Sequence, residues 1–174
     1  MTVLYFVALV ACALAVFTDV RYRRIPNVLT FTLAAVVLVV QCVNGWGNLA
    51  VSIACLTVVF FLGTVAYVMR WLGGGDVKFA AALSASFGYP DTVAFLLYTS
   101  IAGGILALIV SLAHGRLGAT TANVMRIMQP NTFPQEALAA PLQPMTLPYA
   151  IAISCGTLVV ILSHTMLPFL RLHL

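Results

Sequence analysis

The sequence predicts an all-α membrane protein: a bundle of six transmembrane helices with both termini outside the cytoplasm. Three observations carry this. Of 174 residues, 63% are hydrophobic and 7% are charged, and the mean hydropathy is +1.10. A soluble domain has about 45–50% apolar and 25% charged residues, so water could not solvate a fold with this surface. The apolar residues also come in blocks close to the roughly 20 that a helix needs to cross about 30 Å of hydrocarbon. Finally, basic residues gather in alternate connectors between those blocks.

The blocks span residues 3–18, 28–43, 49–69, 77–88, 92–113 and 148–168. The first, "VLYFVALVACALAVF", has no basic region before it, and its small residues Ala11 and Ala13 sit mid-block. It reads as a retained helix rather than a cleaved signal. The fourth, "VKFAAALSASFG", is short, and its length alone leaves a re-entrant segment open. Between the fifth and sixth blocks runs a connector, 114–147, with Pro130, Pro134, Pro141 and Pro144. Those prolines exclude one continuous helix. Within it "TTANVMRIMQ" sets Val124, Ile127 and Met128 on one helical side, which fits a short interfacial helix or an irregular loop equally well. The whole chain, 1–174, reads as a single membrane domain.

Charge orients the bundle. The first connector carries Arg21, Arg23 and Arg24, the third Arg70 and Lys78, and the fifth Arg116 and Arg126. Together they hold seven of the eight basic residues, and Arg171 in the tail is the other. The second and fourth connectors, "NGWGN" and "GYPD", hold none. Basic loops stay in the cytoplasm, so the odd connectors face inward. Dropping the fourth block would split the bases between both faces, which favours counting it as a span. The net charge of +4 is thereby a matter of orientation. The expected partner is a lipid bilayer and not nucleic acid. Trp46 and Trp71 flank a block and read as interfacial anchors.

Other residue types point to no chemistry. Cys12, Cys42, Cys55 and Cys155 each lie inside an apolar block without a CxxC pair, and read as buried small hydrophobes. His114, His164 and His173 lack ligand spacing, so no metal site is expected. Ser111 and His114 are one turn apart, but no acid stands by to orient them.

The carboxylates are different. The chain has four acidic residues, and two of them stand out: Asp19 in "VFTDVRYRRIPN", at the end of one apolar run, and Asp76 in "RWLGGGDVKF", after a glycine turn and before another. An Asp at a helix centre in a bilayer costs about 2.5–3.5 kcal/mol, less toward the interface, which makes such a residue a functional candidate. Taken singly, each has a structural reading. Asp76 would N-cap the fourth helix, and Asp19 would pair with a nearby arginine. The topology, however, puts both at cytoplasmic helix ends and at similar depth. Two carboxylates that share a site raise one pKa, so that one is protonated while the other is charged. That pair can activate a water and polarise a peptide carbonyl without metal or cofactor. Gly73 and Gly75 open backbone angles closed to other residues and let another backbone approach Asp76. Lys78 and Arg70 are placed to hold that turn or to meet lipid phosphates. Asp19 and Asp76 are thus the candidate catalytic residues.

"TDVRYRRIPN" (Thr18–Asn27) with "GGGDVKF" (Gly73–Phe79) resembles the prepilin peptidase family, membrane aspartic peptidases of the GxGD type. "LPYAIAIS" (Leu147–Ser154) resembles the Pro-aromatic stretch that opens the family's last helix. The resemblance implies Asp19 and Asp76 as catalytic, with Ile25, Pro26 and Asn27 as part of the first motif. It also implies cleavage of the short basic leader of type IV pilin-like precursors on the cytoplasmic face of the bacterial inner membrane. Larger members carry paired CxxC motifs and N-methylate the new terminus. This chain has no such motif and resembles the short Flp/Tad-pilus subgroup, so methyl transfer is not expected. Archaeal preflagellin-type peptidases are similarly short. Presenilin-like proteases share GxGD, but their first Asp follows Tyr, where this chain has Thr18. Outside the peptidases, the same acids would suit a small proton-coupled carrier or a non-catalytic subunit of a pilus assembly. The oligomeric state is not readable.

Overall fold

The computed structural model describes residues 2–69, 71–113 and 149–165, and shows six helices among them. They are α1 (Thr2–Tyr22), α2 (Asn27–Asn44), α3 (Trp46–Val68), α4 (Gly74–Phe87), α5 (Asp91–Ala113) and α6 (Tyr149–Thr165). Each expected block holds one of them. Arg70, the 114–147 connector with its proposed interfacial helix, His114, His173 and Arg171 lie outside the described residues. The chain separates into two compact units, residues 1–103 with 148–174, and residues 104–147. All that follows concerns the first.

Helices α1, α2, α3 and α5 are each long and apolar enough to cross a bilayer. Their outer faces carry large apolar side chains, among them Phe6, Phe17, Phe31 and Phe61, all more than 60% exposed. Surfaces of that kind belong in lipid. Trp46 and Trp71 stand exposed at opposite ends of α3. At 1.5 Å per residue its 23 residues span about 34 Å, so the two rings stand about one bilayer thickness apart.

The chain breaks between these helices are sharp. Arg23, at φ 52°, ends α1, and its N–H still reaches the Asp19 carbonyl at 2.8 Å. Pro26, with φ fixed near −63°, starts α2. Gly45 alone joins α2 to α3 at φ 123°, a conformation that requires glycine.

Helix α4 is the centre. Its 14 residues make only about 21 Å, and every residue from Val77 to Gly88 except Lys78 and Ala80 is buried. It packs on α3, α2, α6 and α1. Because protein rather than lipid surrounds it, the hydrocarbon thickness does not dictate its length. Phe79, Leu83, Phe87 and Phe95 form the core around it with Leu4, Leu33, Val37 and Ile153.

One expectation fails. Only Cys12 is buried; Cys42 and Cys155 are exposed, and Cys55 is half-buried. A thiol is apolar enough to face lipid as readily as protein, so an apolar block does not fix which it meets.

Candidate active site

Asp19 sits one turn before the end of α1. Its side chain points inward, 8% exposed, although Val20 and Arg21 beside it are exposed. Its Oδ2 accepts the Ala150 N–H at 3.2 Å. The first N–H groups of a helix have no partner within the helix and favour negative charge. Asp19 therefore closes the start of α6, 131 residues further along the chain.

Asp76 is not the N-cap expected of it. Gly73 is the N-cap, and Asp76 lies three residues on, in the first turn. Its carboxylate reaches back to accept the Gly73 N–H, the carboxylate half of a capping box. Asp76 precedes the apolar segment 77–88 and lies outside the four long apolar helices. Burial pushes its pKa up to about 6, and the nearby Asp19 carboxylate adds to the rise, against the lowering by the Gly73 N–H. Asp19 is thus close enough to act on Asp76 electrostatically. Tyr149, the first residue of α6, shares a cavity wall with Asp76.

The glycines serve by size and not by backbone angle. Gly73 has φ −75° and ψ 144°, open to any residue. A Cβ on it, however, would stand 2.7 Å from Asp76 Oδ2. A Cβ on Gly75 would meet Ile25, with its Cβ at 3.4 Å and its carbonyl oxygen at 3.6 Å. The absence of side chains thus leaves room for the Asp76 carboxylate on one side and the α1–α2 connector on the other.

That connector clamps the start of α4. Ile25 is buried against Gly75, and Pro26 sets the direction of α2. Lys78 Nζ donates to Asn27 Oδ1 at 3.1 Å and lies 6.0 Å from the centre of the Phe31 ring. Pro26, Asn27, Gly73, Gly75, Asp76 and Lys78 are therefore one neighbourhood, joined to Asp19 through Asp76.

Residues 6–108 match the type IV leader peptidase family. The chain belongs to that family. No curated protein and no solved structure matches it. The matched stretch includes both aspartates, the glycines and the connector, and ends before α6. In this family member, then, the contacts that α6 makes lie beyond the matched region. Sequence reasoning missed them: the Ala150 N–H and the Tyr149 ring were legible only as a Pro-Tyr pair without an assigned contact. His164, at the other end of α6, meets Asp91 Oδ2 at 2.8 Å and stacks near Tyr5, which fixes the helix from its far end.

Proposed function

We propose that this chain is a membrane-embedded aspartic endopeptidase that removes the basic leader of type IV or Flp pilin-like precursors at the cytoplasmic membrane face. The observation that carries this reading is the approach of Asp19 and Asp76, from α1 and α4, beside the N-terminus of α6. The six-span topology with outward termini rests on the positions of the bases, and the bacterial inner membrane on the family. The Flp type rests on resemblance to that subgroup.

In this mechanism Asp19, accepting a helix-end N–H, is the ionised partner. Asp76, with its raised pKa, holds the shared proton. A water between them gives a proton to Asp19 and attacks the scissile carbonyl carbon. Asp76 donates its proton to the carbonyl oxygen, forming a neutral gem-diol. Collapse of that intermediate breaks the C–N bond and transfers a proton to the leaving amine. No covalent intermediate forms. Gly73 keeps one side of the Asp76 carboxylate free of a side chain, which suits the approach of a peptide backbone, and Gly75 shapes the turn by seating Ile25.

The test is cleavage of a pilin precursor by the purified protein in detergent, read by N-terminal sequencing of the product. A new terminus after the leader is expected from the wild type and none from Asp19→Asn or Asp76→Asn, with both variants retained in the membrane. Normal processing by either variant refutes the mechanism.

A further inference from the structure

At the far end of the bundle from the aspartates lies a cavity of about 440 Å³. Tyr5, near the start of α1, and Ser86, near the end of α4, stand in its wall. Asp19 lies near the end of α1 and Asp76 near the start of α4, so about 21 Å of helix separates Tyr5 from Asp19. The proton transfers at the aspartates do not use this cavity.

Its wall is polar and uncharged. Gln41, Asn44 and Asn48 bring three carboxamides from either side of the α2–α3 turn. The Asn44 amide donates to Gln41 Oε1 at 3.4 Å, and the Asn48 amide to the Asn44 carbonyl oxygen at 3.1 Å. Three carboxamides hold more donors and acceptors than these two bonds use. Among the described residues, none that lines the cavity is charged, and the connectors "NGWGN" and "GYPD" at this end carry no base. A phosphate or carboxylate would leave water here without a cation to receive it.

Two buried hydroxyls in the same wall lack partners. Ser52 from α3 and Ser86 from α4 are 0% and 4% exposed, and neither Oγ has a hydrogen bond. Ser84, on the same helix as Ser86, bonds in the usual way to a carbonyl one turn back, that of Ala81, at 2.7 Å. A buried donor left without a partner is costly. A hydroxyl moves between staggered positions about χ1, so both serines can turn toward an occupant. Tyr89 and Tyr5 add aromatic surface, and the Tyr5 ring lies 6.4 Å from that of Phe87 and 5.8 Å from that of His164.

We propose that this cavity is a binding site for a neutral sugar, taken free or as the headgroup of a lipid. Each hydroxyl of a hexose both donates and accepts, as carboxamides and serines do, and its C–H face packs on an aromatic ring. The size agrees: a cavity of about 150 Å³ takes one benzene-sized guest, and this one has room for a hexose ring with its hydroxyls. The site lies outside the peptidase chemistry and does not depend on it.

The experiment follows thermal unfolding of the full chain in a detergent without a sugar headgroup. The probes are glucose and N-acetylglucosamine in solution, then glucosyl diacylglycerol against phosphatidylglycerol in nanodiscs. A saturable rise in melting temperature is expected, about 3–6 °C with sugar at about ten times its dissociation constant. Exclusion of sugar from a protein surface also stabilises it, but that effect does not saturate and survives mutation. The double variant Ser52→Ala/Ser86→Ala removes the two unpartnered hydroxyls. It should melt higher than the wild type without sugar, yet bind sugar about tenfold more weakly or worse. Gln41→Met keeps the volume, removes a carboxamide and should weaken the same probe about tenfold. Stability and affinity that move in opposite directions separate a ligand site from general damage to the fold. A rise with the glycolipid alone makes the ligand a headgroup, and a rise with the free sugars makes it the sugar itself; both support the site. No saturable rise with any sugar probe, an undiminished rise in the variants, or a larger rise with phosphatidylglycerol overturns it. Cleavage is not read in this assay, so its failure leaves the peptidase reading standing.

Discussion

Replacing Asp76 by Asn should abolish cleavage and make the protein more stable at neutral pH. The reason lies in the proton. In the unfolded chain Asp76 titrates near 3.8, whereas in the folded protein its pKa is raised to about 6. Between those values the folded state keeps a proton that the unfolded state has released. Its stability therefore falls as pH rises through that window and stays lower above it. At 1.36 kcal/mol per tenfold change, the loss at pH 7 is at most about 3 kcal/mol; partial exposure of the carboxyl brings it to about 1–2 kcal/mol. Asn cannot ionise, yet its Oδ1 still accepts the Gly73 N–H. For a chain of this length the gain corresponds to about 2–8 °C in melting temperature. Tryptophan fluorescence of the detergent-solubilised protein, followed on heating from pH 4 to pH 8, measures it. The variant and the wild type should melt together near pH 4 and separate as pH rises. A variant that melts below the wild type at pH 7 would mean that the carboxylate is a structural cap, and the argument for stored cost at a catalytic acid would fail.

Three further outcomes follow from the same geometry. The pH profile of kcat/KM should fall through a midpoint near 6, because the reaction needs the shared proton; at pH 7 only about one molecule in eleven retains it. That midpoint belongs to the pair, and a profile flat from pH 5 to 8 would contradict it. Gly73→Ala puts a Cβ 2.7 Å from Asp76 Oδ2, so kcat should drop about 10–100-fold in a protein that still reaches the membrane. Gly75→Ala, whose Cβ meets Ile25 at 3.4 Å, should be tolerated far better, as a side-by-side cleavage assay would show. Lys78→Met and Asn27→Ala should each lower stability by about 0.5–1 kcal/mol, and together by less than their sum, because they share one hydrogen bond. Additive losses in that double-mutant cycle would remove the clamp from the account.

Much of the site was legible because acids are scarce and expensive in such a chain. Asp19 and Asp76 stand out from an apolar sequence on solvation cost alone, and the alternating bases bring them to one end of the bundle. The local role of Asp76 was not legible. An acid after three glycines reads as an N-cap, whereas the helix begins one turn earlier, at Gly74, and uses the carboxylate in its first turn. Two helix starts three residues apart look alike in sequence, since glycine has no preference strong enough to decide between them. The function of Gly73 and Gly75 was half legible. Both angle and space are reasons for a glycine, and only the neighbouring atoms show that space is the reason here.

The contribution of α6 was out of reach for a different reason. Asp19 and Ala150 lie 131 residues apart, and a backbone N–H carries no residue-type signature. What the sequence does hold is Pro148, and not Ser, Thr, Asp or Asn, immediately before Tyr149, the first residue of α6. Helix starts inside apolar surroundings need a partner from somewhere, and in this bundle the partner is a carboxylate on α1. The same contact serves both groups: the helix end gains an acceptor, and Asp19 gains a donor that fixes its carboxylate. An Asp19→Asn variant should therefore lose cleavage yet keep α6 in place, because the amide oxygen can still accept the Ala150 N–H. Asp19→Leu should lose both, and the difference in thermal stability between the two variants isolates the capping role from the catalytic one. Equal stability of Asn and Leu at this position would show that α6 does not depend on the side chain that accepts its N–H.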